Sequence, residues 1–112
     1  MIISVNVYLE GYDCGDIEVD VPRSIYDNVN WASLRGKNDL RKAIKDEYPL
    51  LAKHIDNAVE KAMYDGALVD LDAVADMCGQ TFISHSGPIS YEYKDVDDYV
   101  KRVERKYYIK ID

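Results

Sequence analysis

The seven residues "EGYDCGD", Glu10 to Asp16, hold three carboxylates, a cysteine and two glycines. Such a cluster could bind a cation or carry a nucleophile. An EF-hand-type calcium loop requires D-x-[DN]-x-[DN]-G followed by a distant Glu, and this stretch lacks that pattern. A reactive thiol needs a cation or a helix N-terminus beside it, whereas Cys14 is flanked by Asp13 and Asp16. Gly11 and Gly15 supply positive φ, and aspartates form turns readily. The stretch therefore reads as a hairpin turn of four to six residues, with Gly15 suited to a bulge.

Other chemical constellations are equally thin. Cys78 lies seven residues before His85 and Ser86, which occupy a Gly-Pro turn, and a Cys/His pair is the minimum for a thiol nucleophile. Cys78 falls at the C-terminal end of an acidic helix, where the dipole disfavours a thiolate. Zinc would need Cys14, Cys78, His54 and His85 to converge without the close ligand pairs typical of structural sites. His54 reads as a partly buried, hydrogen-bonded side chain. Asp65, Asp70, Asp72 and Asp76 read as a solvated face, with Asp70 serving as a helix cap. Neither a Walker loop nor a dinucleotide fingerprint is present. No catalytic residue, metal ligand or cofactor is assigned.

The elements that would position these residues are legible from periodicity. Ile3, Val5, Val7 and Leu9 alternate with Ser4, Asn6 and Tyr8; Ile17, Val19 and Val21 alternate with Asp16, Glu18 and Asp20. Period two with β-branched residues predicts two half-buried strands in an N-terminal hairpin. After Pro22 the period lengthens. Ser24 and Asp27 resemble a capping box that starts a helix with Ile25, Val29 and Ala32 on one face and Trp31 beside them, ended by Gly36. Asn38 caps a second helix, with Leu40, Ala43 and Ile44 inward. Pro49 opens a third, carrying Leu51, Ile55, Ala58, Val59, Ala62 and Met63 and closed by Asp65-Gly66. Asp70 caps a short fourth, with Leu71, Val74, Ala75 and Cys78 inward. Cys78 is then a core residue and Cys14 a loop residue, so Cys78 should be the slower to label.

"QTFISHSGPISYEY" predicts a second hairpin, with Phe82 or Ile83 in one arm and Ile89, Tyr91 and Tyr93 in the other. Asp95 and Asp98 start a last helix, with Val96, Tyr99 or Val100, Val103 and Tyr107 inward, unless "YYIKI" breaks away as a short final strand. The expected class is α+β: an N-terminal hairpin, three to four central helices, a second hairpin and a C-terminal helix. A chain of 112 residues of ordinary globular composition predicts a single domain. The absence of a basic, apolar leader or of a run of about 20 apolar residues predicts a cytoplasmic chain without a membrane span.

Charge sets the functional expectation. The net charge is −7, and it is segregated. Residues 1–22 hold Glu10, Asp13, Asp16, Glu18 and Asp20 but no Lys or Arg; residues 23–45 are net basic, 46–100 strongly acidic, and 101–112 net basic. The ten tyrosines against one Phe and one Trp offer large apolar bodies with polar tips, which suit interfaces. The first expectation is a small interaction module, of inhibitor or neutraliser type, that occludes the basic surface of a protein partner. Its binding face is Tyr8, Tyr12, Asp13, Asp16, Glu18 and Asp20, an acidic ribbon with no local base to neutralise it. The alternative is a nucleic-acid-associated regulatory module that grips polyanions through Arg35, Lys37, Arg41, Lys42, Lys45, Lys101, Arg102, Arg105 and Lys106 on basic helices. The acidic segment "LDAVADMCG" excludes a helix-turn-helix reader, because phosphate would repel it. A small thiol or histidine enzyme is the third reading.

Overall fold

The computed structural model describes residues 1–34, 40–79, 81–83 and 90–110. It is an α+β protein. The alternating N-terminus forms β1 (Ile2–Leu9) and β2 (Tyr12–Asp20), paired antiparallel. The turn between them is tighter than its composition suggests. Only Glu10 and Gly11 lie between the strands, at φ 54° and 80°, the doubly positive pattern of a two-residue type I′ turn. The Asp13–Gly15 segment is instead a bulge. Asn6 pairs with Asp16 and Tyr8 with Asp13, so Val7 faces both Cys14 and Gly15. Gly15 adopts φ 99°, and Asp13 Oδ1 accepts from Gly15 N and from Asn6 Nδ2, each at 2.9 Å. Those two bonds hold the Asp13 carboxyl below its ordinary value, with the Gly15 amide the larger cause.

The first helical stretch differs from expectation. It is two single turns, α1 (Arg23–Tyr26) and α2 (Trp31–Leu34). Pro22 precedes α1 without a side-chain cap, and Asp27 pairs with Arg23 at 3.4 Å rather than completing a capping box with Ser24. The intervening asparagines divert the backbone: Asn28 Nδ2 donates to Ser24 O at 2.6 Å, and Asn30 Oδ1 accepts from Ser33 N at 3.4 Å. The expected Gly36 stop and Asn38 cap lie outside the described residues.

Next come α3 (Leu40–Glu47) and α4 (Pro49–Tyr64). Tyr48 sits between them in non-helical backbone, at φ −134° and ψ 69°, because Pro49 disfavours α geometry before it. α4 is the central helix: Leu51, Ile55, Val59 and Met63 are fully buried at its i, i+4, i+8, i+12 positions. Gly66, at φ 76°, ends it in a Schellman motif, with Gly66 N donating to Met63 O and Ala67 N to Ala62 O. Asp70 Oδ1 caps α5 (Leu71–Met77) by accepting from Asp72 N and Ala73 N. No residue of α5 is buried, however. β3 (Thr81–Ile83) pairs antiparallel with β4 (Ser90–Glu92) in a separate two-stranded sheet. The side chains expected to point inward from this hairpin, Phe82, Ile83, Ile89 and Tyr91, and its turn with His85 and Ser86, lie outside the described residues.

Asp95 caps α6 (Val96–Arg102), accepting from Asp98 N at 2.8 Å while Asp98 Oδ2 accepts from Lys94 N at 3.0 Å. The basic run "VKRVERK" is therefore not one helix. The chain turns at Val103 and returns as β5 (Arg105–Lys110) along the free side of β1, giving the sheet order β2-β1-β5. Val7 pairs with Tyr107 and Val5 with Ile109. The inner sheet face packs on α3 and α4 and buries Val5, Val7 and Tyr107. Arg105 and Tyr107, two residues apart on β5, meet Glu60 and Asp56, four apart on α4: Arg105 Nη2 lies 3.7 Å from Glu60 Oε1, and the Tyr107 hydroxyl donates to Asp56. The match follows from geometry, since two strand residues and four helix residues each span about 6–7 Å.

Two outcomes follow. Leu51→Ala should cost about 2–5 kcal/mol in chemical denaturation, because its side chain is fully buried. Its neighbour Leu50, 69% exposed, should tolerate alanine within about 0.5 kcal/mol. Equal effects would contradict the helix orientation. Asp98 is held below its ordinary 3.8 first by the Lys94 amide and then by Arg102. A depressed carboxyl contributes stability above its unfolded value and loses it as pH falls through the folded one. Asp98→Asn should therefore flatten the acid-side stability profile below about pH 4, a change that denaturation at stepped pH would read.

Candidate functional site

Three surfaces bear on function, and the first is the outer face of the sheet. Pairing places Asp13, Asp16, Glu18 and Asp20 of β2 on this face, with Asn6 and Tyr8 of β1 beside them. The expectation that nothing neutralises this ribbon is overturned by β5, which sets Lys106 opposite Tyr8 and Lys110 opposite Ser4 on the same face. Lys110 forms an ion pair with Asp16, and its ammonium is raised by that bond. The N-terminal ammonium lies 3.2 Å from Asp20. Asp13 is committed to the bulge. Tyr8 is half-buried and packs edge-on against Tyr108 at 5.3 Å. Glu18 is exposed. Tyr12 leaves this face altogether: it pairs with inward-facing Leu9, lies in β2 rather than in a loop, and is 58% exposed on the opposite side.

The second surface is a cleft of about 350 Å³ at that opposite side, where the hairpin end meets α5 and α6. It is lined by Leu9, Glu10, Tyr12 and Cys14 of the hairpin, by Val69, Val74 and Met77, and by Tyr93 and Tyr99. The lining is mostly apolar, yet Tyr12 and Met77 remain 58% and 42% exposed. Tyr93 is buried and its hydroxyl donates to Glu10 Oε1 at 2.5 Å, while Glu10 Oε2 is enclosed with no hydrogen-bond partner among the described residues. The segment that supplies Val69, Val74 and Met77 is acidic: Asp65, Asp70, Asp72 and Asp76 occur with no Lys or Arg between residues 65 and 79, and Asp65, Asp70 and Asp72 line an adjoining recess that shares Val69. The cleft's titratable groups respond accordingly. Burial pushes the Tyr99 hydroxyl up to about 12, with Cys14 and Glu10 adding to it. The Cys14 thiol is raised by burial and then by Asp13, and the Cys78 thiol by burial and then by Asp95 and Asp98. Tyr64 donates to Asp97 at 2.6 Å and is raised by that bond first.

The third surface is a recess of about 400 Å³ between α3, the end of α6 and the start of β5. It brings together Arg41, Lys42, Lys45, Lys101, Arg102 and Arg105, six of the basic residues singled out from sequence, although Arg105 lies on a strand and not on a helix. Lys106 lies on the outer sheet face, and Arg35 and Lys37 fall outside the described residues.

Neither cysteine carries the features of a nucleophile, since raised thiols are poor thiolates. Cys78 is half-buried rather than core, because α5 lies at the margin of the sheet with no buried position. Cys14 is also half-buried and packs against the core, with its thiol 3.5 Å from Tyr12 O. His54 Nε2 donates to the Asp20 carbonyl at 2.6 Å. Among the described residues no group of three His, Cys, Asp or Glu side chains could hold a metal ion, and no helix is long and apolar enough to cross a membrane. No protein-family model matches the chain, and neither a curated protein nor a solved structure is significantly similar to it.

Sequence reasoning missed the cleft. Its signal was the apolar stripe Leu71, Val74, Ala75 and Cys78, read as inward, on a helix too short and too acidic to reach the core. The thiols test this placement. At pH 7 both should react with maleimide slowly compared with free cysteine, at rates rising about tenfold per pH unit as thiolate forms. Cys78 should not lag behind Cys14. A Cys78 protected a hundredfold or so more than Cys14 would restore the core position.

Proposed function

We propose that this chain is a non-catalytic interaction module that captures a basic protein partner, and that the capture face is the apolar cleft between the hairpin end, α5 and α6. The observation that carries the reading is the pairing of exposed Tyr12 and Met77 with an apolar lining, one part of which comes from the acidic segment 65–79. Exposed aromatic and Met side chains around a concave apolar site are the composition of binding hot spots. The acidic surround of α5 steers a positively charged segment toward them and disfavours acidic competitors. An apolar side chain flanked by Lys or Arg on the partner would enter the cleft, and its cations would meet Asp70 and Asp72. Occlusion of a basic functional surface, as an inhibitor or neutraliser does it, would follow from the covering alone.

The outer hairpin face supports this role less well. Lys110 and the N-terminal ammonium already engage Asp16 and Asp20, so a partner would have to displace internal pairs to use them. Asp13 is held in the bulge by Gly15 and Asn6, which leaves Glu18 as the exposed carboxylate there with no described ion pair or hydrogen bond.

A comparison of two double variants discriminates the faces. Tyr12→Ala with Met77→Arg alters the cleft, and Glu18→Lys with Asp20→Lys alters the hairpin. In pull-downs from native lysate read by mass spectrometry, a basic protein retained by the wild type should persist with the hairpin variant. It should fall about tenfold or more with the cleft variant, the effect of losing one hot-spot contact. Loss with the hairpin variant alone would move the capture face to the outer sheet and overturn the assignment.

A further inference from the structure

The basic recess has a feature that solvation of a charged face does not explain. Lys45 lies in the last turn of α3, and Lys101 and Arg102 lie in the last turn of α6, where helix dipoles favour cations whatever else they do. Arg105 is in a strand, 5% exposed, and is the buried charged residue among those described. Only its Nη2 approaches a carboxylate, Glu60, at 3.7 Å; its Nε and Nη1 are enclosed with no hydrogen-bond partner among the described residues. Buried donors are almost always paired, and two unpartnered guanidinium nitrogens call for acceptors.

The neighbouring charges narrow what that acceptor is. Asp56 takes Arg41 at 3.5 Å and Asp98 takes Arg102 at 2.7 Å. Glu104 borders the recess as well. No ion pair among the described residues engages Lys42, Lys45 or Lys101. The recess therefore joins three lysines, held on two different helices, to a buried arginine fork in a volume of about 400 Å³. That volume lies in the range of small-molecule sites. Guanidinium nitrogens donate charge-assisted hydrogen bonds to phosphate oxygens, and lysines add point charge for further phosphates.

We propose that this recess binds a small ligand carrying two or more phosphate groups, with one phosphate at Arg105 and the others among Lys42, Lys45 and Lys101. A polynucleotide fits less well. Its evenly spaced phosphates need an extended basic track, whereas these cations converge on one recess and the chain as a whole carries −7. The proposal does not depend on the cleft, which is lined by different residues.

Titration calorimetry on the full chain tests it, with inorganic tripolyphosphate as the probe. The expected result is saturable one-to-one binding that weakens as salt rises. Lys45→Glu and Lys101→Glu, both at exposed positions, should each weaken binding about tenfold or more. Arg105→Lys should weaken it similarly. If that variant unfolds, the two lysine variants still decide the matter. A ten-nucleotide single strand serves as the second arm. Tripolyphosphate binding unchanged in both lysine variants, or no saturable binding at all, overturns the proposal. Tighter binding of the oligonucleotide, with the steep salt dependence of multiple phosphate contacts, also overturns it in favour of a nucleic-acid site.

Discussion

The return of β5 to the free side of β1 is the interaction on which the remaining architecture depends. Without it β1 would present an unpaired ladder edge, and the sheet would be an isolated hairpin, which is marginal in water. With it, β1 becomes a central strand whose inward residues Val5 and Val7 are fully enclosed. The docking is specific because β5 is read from two sides. β1 fixes its register through the backbone, and α4 fixes its inner face through Asp56 on Tyr107 and Glu60 on Arg105. Burial drives the Tyr107 hydroxyl well above its ordinary range, with the Asp56 bond adding to it. The phenol thus stays protonated and donates to Asp56.

The same strand redistributes charge. Along the chain, acidic and basic segments alternate in blocks. In space, β5 carries Lys106 and Lys110 to the outer face, where they temper the acids of β2, and Arg105 to the inner face. It also draws the end of α6 beside α3, which merges two basic segments far apart in sequence into one recess. The acidic block of residues 65–79 holds no Lys or Arg of its own. The molecule is thereby left with an acidic, apolar-lined end and a basic recess, and the two can act independently.

Much of this was legible in the sequence where one local signal dominated. Alternation in β1 and β2, the i, i+4 stripe of α4, the Gly66 stop, and the Asp70 and Asp95 caps all correspond to elements observed. The failures came where local signals competed. Asp13, Cys14 and Gly15 looked like a turn because turns and bulges use the same residues, while the true turn places Glu10, an uncommon choice, at positive φ. The first helix broke because Asn28 and Asn30 bond to backbone groups that a continuous helix would have used. "VKRVERKYYIK" carries bases at helical spacing and apolar residues at strand spacing in overlapping windows. Only the empty side of β1, a tertiary fact, decides for the strand at Arg105. For the candidate sites, residue types were readable and partners were not. The bases of α3 and α6 were all singled out, as were Arg105 and Lys106 of β5 but not Lys110; their convergence, the burial of Arg105 and the departure of Tyr12 to the opposite face depend on long-range pairing.

Solution NMR of the β1–β5 ladder tests the account most directly. Cross-strand proton contacts should link Val7 with Tyr107 and Val5 with Ile109, and the β5 amides bonded to β1 should exchange with solvent as slowly as those joining β1 to β2. Rapid exchange throughout residues 105–110, with β1–β2 contacts intact and no contact from β1 to β5, would contradict it.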